Sequence, residues 1–179
     1  MPDSTLKQAI KEAYAACPCN SIIHHTLEIW HPSFTTPIRV VRDNNLTPLT
    51  ATLEASAPRD AGQAVNFLGY QFDLAPPEVS TTGVPQCTVE IDNVSREILQ
   101  QIELAVAGGS PDLITIIYRS FLSDDLTGPQ NDPPLTLTVS DITANVFRIQ
   151  ATAGFPNLAN KRFPSQDYTS ERFPGLIGQ

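Results

Sequence analysis

The chain has 179 residues, with 19 acidic against 11 basic side chains and a formal net charge of −8. That length suits one ordinary domain, or one domain plus an arm, and buries a sizeable core without disulfides or metals. The basic residues are scattered, Arg39 with Arg42 and Lys161 with Arg162 being the closest groupings. This argues against nucleic-acid binding, which needs clustered cations to replace condensed counterions. No apolar run approaches the roughly 18 residues that span a bilayer.

Charged residues make up 17% of the chain and there are 16 prolines, a composition of neutral, extended, loop-bounded segments. Residues 1–14 mix polar side chains into their apolar pattern and lack a signal-peptide core, so folding in a cytoplasm is expected. Cys17, Cys19 and Cys87 make an odd number, and a Cys17–Cys19 bridge would close a ring too small for ordinary disulfide geometry. Reduced thiols are expected.

In chain order, the first element is a helix: Leu6, Ala9, Ile10, Ala13 and Tyr14 recur at three- and four-residue spacing, with Lys7, Gln8, Lys11 and Glu12 opposite. Asp3 or Ser4 can cap it, and Pro18 with Asn20 ends it. The period then changes to two. Strands are expected over 22–31 and 38–42, the latter closed by the Asp43-Asn44-Asn45 turn signal. Leu49, Ala51, Leu53 and Ala55 alternate with Thr50, Thr52 and Glu54, and in the 65–74 stretch Leu68, Tyr70, Phe72 and Leu74 share a side. Val89 and Ile91 alternate with Thr88 and Glu90.

Val94, Ile98, Ile102 and Val106 fall at four-residue intervals, predicting a second helix with Asp92 or Asn93 as N-cap and Gly108-Gly109 as the stop. Strands return at 113–122 and 135–139, separated by an acidic, Pro-containing loop at 123–134. A last strand is expected over 146–153, with Phe147, Ile149 and Ala151 against Arg148 and Gln150. From residue 155 no period survives, and aromatics sit beside prolines in Arg162-Phe163-Pro164, Tyr168-Thr169 and Arg172-Phe173-Pro174-Gly175-Leu176. Such residues carry apolar area that needs a groove. The segment reads as an extended arm that packs on its own domain or on a neighbouring subunit. Its candidate partner-binding residues are Arg162, Phe163, Pro164, Tyr168, Phe173, Pro174 and Leu176.

No constellation carries a clear catalytic signal. Cys17, Cys19, His24, His25 and His31 are the one metal-like grouping. Adjacent strand residues point to opposite faces, so His24 and His25 do not readily reach one ion. They read as ordinary polar or interface residues, and neither metal nor cofactor is expected. No Gly-x-Ser-x-Gly elbow is present. Asp124, Asp125 and Asp132 lack the spacing of a calcium loop. Glu90 with Asp92 reads as a solvated face, and Gly108-Gly109 follows a helix where a phosphate loop would open one.

Several strings nevertheless resemble a known group. They are Leu27-Glu28-Ile29 with His31-Pro32, residues 37–43, Leu53-Glu54-Ala55 with 57–62, and residues 91–97. Tyr118-Arg119, residues 122–125, residues 132–137, 160–164, and 168–176 complete the set. Together they resemble an uncharacterised family of tailed-bacteriophage proteins encoded after the tape-measure protein, beside a tail-tip peptidase. The Cys17-Pro18-Cys19 segment is not part of that likeness. The resemblance implies a non-enzymatic virion protein of the distal tail or tail tip (baseplate), a ring subunit connecting tail tube to hub. Its implied partners are copies of itself and the tube, hub and tape-measure proteins. It carries over no catalytic residue.

The expectation is therefore a mainly-β, α+β chain: an antiparallel β-sandwich or barrel over 1–154, decorated by two helices, with the arm at 155–179. Its expected place is the tail tip of the virion, reached by assembly in the host cytoplasm, with no membrane association. Specific nucleic-acid binding is not expected. An acidic ring would let DNA pass without adhering. The alternatives are an assembly factor that binds tape-measure or hub proteins, and an envelope-directed hydrolase.

Overall fold

The computed structural model describes residues 6–16, 21–43, 47–74, 86–92, 99–101, 103, 113–145 and 148–155. Helix α1 (Gln8–Ala16) is followed by strands β1 (Ile23–Trp30), β2 (Ile38–Arg42), β3 (Leu49–Thr52), β4 (Ala64–Tyr70) and β5 (Phe72–Leu74). Then come β6 (Gln86–Asp92), β7 (Thr115–Leu122), β8 (Leu135–Ala144) and β9 (Arg148–Gly154). The chain is mainly β, as expected. Of the second expected helix, residues 99–101 and Glu103 are described and helical. Its N-cap Asn93, its stop at Gly108-Gly109 and the α1 caps Asp3 and Ser4 lie outside the described residues.

The nine strands among the described residues join one sheet in the order β3-β4-β2-β1-β7-β8-β9-β6-β5. The pairings are antiparallel except β2 with β4, which run parallel with Val40 opposite Leu68 and Arg42 opposite Tyr70. The rest of the sheet is antiparallel, as expected. β3 folds back antiparallel on β4, so the segment between β2 and β4 works as a crossover that returns the chain in its original direction.

The hydrogen-bonded order is open-ended, yet β4 and β5 stand near its opposite ends with only Gln71 between them. The sheet must therefore curl until its β6 side returns to β4. Asp43 N–H bonds Tyr70 O at 3.3 Å and Asp92 N–H bonds Gln71 O at 2.9 Å, and Arg42 reaches Asp73 at 3.6 Å. The result wraps like a barrel. Its interior is filled by Leu27, Ile29, Ile38, Val40, Phe72, Val89, Ile91, Ile116, Leu137, Val139 and Ile149, with their neighbours from seven strands.

A second apolar cluster lies outside this interior: Val41, Ala51, Leu53, Val65, Phe67 and Phe121. The two clusters explain why residues 26–29 of β1 are buried without alternation, since both faces of that strand are covered. Along 64–74 the expected inward side holds for Tyr70, Phe72 and Leu74. Val65 and Phe67 of the other side are buried too, and Leu68 is half exposed. Ala55 is exposed because β3 ends at Thr52 and the chain leaves the sheet.

Helix α1 buries Ile10 and Ala13, while Tyr14 is half exposed. Its start is tied to the β7–β8 connection by a Lys7 N–H bond to Gln130 O of 2.9 Å and a Leu6–Asn131 bridge.

Candidate functional site

The most elaborate side-chain arrangement among the described residues lies on the outer face of β1, β2 and β7. Arg119 and Glu28 are both fully buried there. The Arg119 guanidinium grips both carboxylate oxygens of Glu54 at 2.8 Å each and donates a third bond to Glu28 Oε2 at 3.0 Å. Glu28 also accepts from Arg39 Nε at 3.4 Å and Arg59 Nε at 3.3 Å. Arg39 donates onward to Asp60 at 2.5 Å. Arg59 lies over the Trp30 ring, 4.4 Å from its centroid, within cation–π range.

Three guanidiniums thus meet three carboxylates, and the cluster is neutral. Buried charges persist when paired and hydrogen-bonded in this way. The elements explain the placement. Glu28, Arg39 and Arg119 come from the outward sides of β1, β2 and β7, while Glu54, Arg59 and Asp60 come from the β3–β4 connection. That connection is internally braced by Ala57 N–H to Glu54 O, Gly62 N–H to Glu54 O and Gln63 N–H to Asp60 O, at 3.0 to 3.2 Å. Its turn passes through left-handed backbone at Asp60 (φ 49°) and Gly62 (φ 68°), conformations that Asp and Gly tolerate best. The ion cluster straps this connection to the sheet.

Beside the strap a cleft of about 440 Å³ is lined by Glu54, Ser56, Pro58 and Arg59 on one side, and by Thr115, Ile117, Thr136 and the Pro133-Pro134 ridge on the other. Across that ridge a second cleft of about 380 Å³ is lined by Leu6, Tyr118, Asn131, Leu135 and Phe155. Pro133, Pro134 and Thr136 line both, so the ridge is a wall common to the two clefts. Asn131 fixes the ridge to β7: its Oδ1 accepts from Ser120 N–H at 2.9 Å and its amide donates to Tyr118 O at 3.1 Å.

The structure separates the metal-like grouping where it is described. His25 stacks on Tyr118 with a 2.7 Å contact from Nδ1 to the phenol oxygen. Burial, followed by Arg42 and His24, pushes the His25 pKa down, and burial chiefly pushes Tyr118 up to about 12. His31 is buried elsewhere, accepting the Ser33 N–H at 3.1 Å. Cys17 and Cys19 lie outside the described residues. Among the described residues no three His, Cys, Asp or Glu side chains gather as a metal site.

The remaining acidic candidates have structural partners. Asp125 accepts from Thr127 N–H, Thr127 Oγ1 and Gln130 Nε2 at 2.6 to 3.1 Å, bonds that lower its pKa. Asp124 accepts from Ser21 and Ser123. Glu90 and Asp92 sit on the exposed face of β6, clasped by Arg148 of β9. The arm residues Arg162, Phe163, Pro164, Tyr168, Phe173, Pro174 and Leu176 all lie outside the described residues.

Sequence reasoning missed the ion cluster. Its signal was Arg119, a lone charge inside the apolar run Ile116-Ile117-Tyr118-Arg119-Ser120-Phe121-Leu122. A charge there requires a buried counter-ion, but nothing local says that the partners stand 65 and 91 residues away.

Fold and site together define a mainly-β protein whose clustered charges strap a connection to a curled sheet. The chain belongs to the DUF1833 family, described as a domain of unknown function, whose family model matches residues 9–168. No curated protein matches it.

Proposed function

We propose that this chain is a structural subunit of a bacteriophage tail, placed at the distal tail or tail tip and working as a member of a ring. One observation carries the reading. The strings behind the phage-tail resemblance, distant in sequence, supply every member of the ion cluster: Glu28, Arg39, Glu54, Arg59, Asp60 and Arg119. They also supply the ridge Pro133-Pro134. Those residues are occupied in holding a connection rigid on the sheet, a task of architecture. Rigid, pre-formed surfaces suit a subunit that must present the same interface in every copy of a closed assembly. The acidic balance of the chain, −8 overall, fits a conduit to which DNA does not adhere.

The test is quantitative protein analysis of purified phage particles from a host expressing the tail genes. Copies present in a fixed ratio to the tube protein support the reading. Absence from finished particles, with tails failing to form when the gene is silenced, would replace it by an assembly factor.

A further inference from the structure

We propose that His25 and Tyr118 form a proton-operated latch on helix α1: while His25 is neutral the helix is held beside β7, and protonation of His25 releases it. This inference is independent of the proposed function.

The latch is a defined contact. His25 lies on the same side of β1 as the inward-facing Leu27 and Ile29, and Tyr118 of β7 packs against the same interior cluster. The two rings stack with centroids 5.9 Å apart and planes 19° apart, and His25 Nδ1 lies 2.7 Å from the Tyr118 phenol oxygen. A phenol is protonated at neutral pH, so Tyr118 donates and His25 accepts, with the imidazole proton on Nε2. Imidazolium has no lone pair with which to accept. Protonation of His25 therefore breaks this bond, and the phenol must turn its proton elsewhere.

The surroundings offer the new cation little in exchange. Burial of the ring opposes its charge most, and Arg42 of β2 and the adjacent His24 add to the opposition. Asp73 of β5 is engaged with Arg42 at 3.6 Å, both side chains standing largely in solvent. From α1 the facing group is the Tyr14 phenol, which adds to the rise in the Tyr118 pKa that burial chiefly causes. Lys7 acts instead on Asp125, and Glu12 accepts from Gln8 within the helix.

Through Tyr118 the pair reaches both ends of α1. Leu6, just ahead of the helix, lines the second cleft together with Tyr118. Asn131, which bridges to Leu6, donates to Tyr118 O at 3.1 Å, and Gln130 accepts the Lys7 N–H while donating to Ser120 O. Tyr14 faces Tyr118 from near the other end. Nine residues are too few to hold a helix in water unaided, so α1 depends on this docking, which buries Ile10 and Ala13. Docking favours neutral His25. Once α1 is released the ring regains its ordinary value near 6.5, so docking is complete above about that pH and weakens as pH falls toward the docked-state value.

The experiment follows hydrogen–deuterium exchange of the full chain between pH 7.5 and 5.0, with rates corrected for the intrinsic effect of pH. Peptides covering residues 8–16 should lose protection several-fold as pH falls, while peptides from β8 and β9 keep theirs. His25→Gln, neutral throughout and able to accept from Tyr118, should hold the protection of α1 flat. Should that variant fail to fold, the parent protein decides by NMR: the His25 ring should titrate below pH 6.5, and the loss of α1 protection should span the same interval. Protection of residues 8–16 that ignores pH, that falls equally in His25→Gln, or that falls only together with β8 and β9 would overturn the proposal, as would a His25 titration displaced from the change in α1.

Discussion

Replacing Arg119 by Met tests whether the ion cluster holds the fold together. Methionine keeps most of the volume and removes the guanidinium, so the loss is mainly electrostatic. Three short bonds disappear, two to Glu54 and one to Glu28. Glu54 lies at the edge of the cluster, with 11% of its side chain exposed, and water can replace part of what it loses. Glu28 has no such recourse. It is fully buried and would keep only the longer contacts from Arg39 at 3.4 Å and Arg59 at 3.3 Å.

Breaking a buried pair on one side costs about 3–5 kcal/mol. For a domain of this size that lowers the melting temperature by roughly 6–20 °C. Urea unfolding followed by circular dichroism gives the number, and the slope checks that the transition stays two-state. Glu28→Gln in the Arg119→Met background removes the stranded charge, so the double variant should be more stable than the sum of the single losses implies. A loss below about 1 kcal/mol, or strict additivity, would mean that water reaches Glu28 and that the cluster behaves as a surface salt bridge.

Three further outcomes are expected. The His25 pKa is lowered, mainly by burial, so the unfolded chain takes up the proton first, near pH 6.5. Its stabilising contribution is therefore complete above that pH and fades as pH falls toward the folded value. Melting temperatures measured from pH 7.5 to 5.5 should drop less steeply for His25→Gln than for the parent, and equal slopes would refute the assignment. Cys87 is buried, with a thiol pKa raised by that burial, so iodoacetamide should spare it in the native protein and label it in urea; native labelling of the Cys87 peptide would contradict the interior placement. Phe67 is fully buried against Phe121, ring centroids 5.9 Å apart. Phe67→Ala should cost about 3–5 kcal/mol by urea denaturation, whereas a loss under about 1 kcal/mol would make the outer cluster peripheral.

Most strands were legible because alternation reports faces directly: Val89 and Ile91 point inward from β6, as Leu137 and Val139 do from β8. Alternation does not report partners. Nothing in residues 64–74 says that one nearly continuous strand pairs with β2 and β3 through its first half and with β6 through its second. That choice depends on the curl of the whole sheet, as does the parallel β2–β4 pair. The site was less legible still. Glu28 follows Leu27 as an ordinary wet-face residue would, and Glu54 and Asp60 sit in a stretch rich in turn formers. Only a second apolar cluster and a connection folded over the sheet turn those positions into a buried network. The charges read as solvent-facing because the covering connection is itself a tertiary feature.

The strap and the first cleft share a wall, and this ties stability to the shape of the cleft. Glu54 and Arg59 belong to the ion cluster and also line the first cleft. Release of the 53–63 connection would therefore move one side of the first cleft while leaving the Pro133-Pro134 ridge, anchored through Asn131 to β7, in place. A lesion at Arg119 should consequently loosen whatever occupies the first cleft more than what occupies the second, which is walled by Leu6, Tyr118 and Phe155 instead. The strap would then act beyond stability, as the element that sets the width of the first cleft.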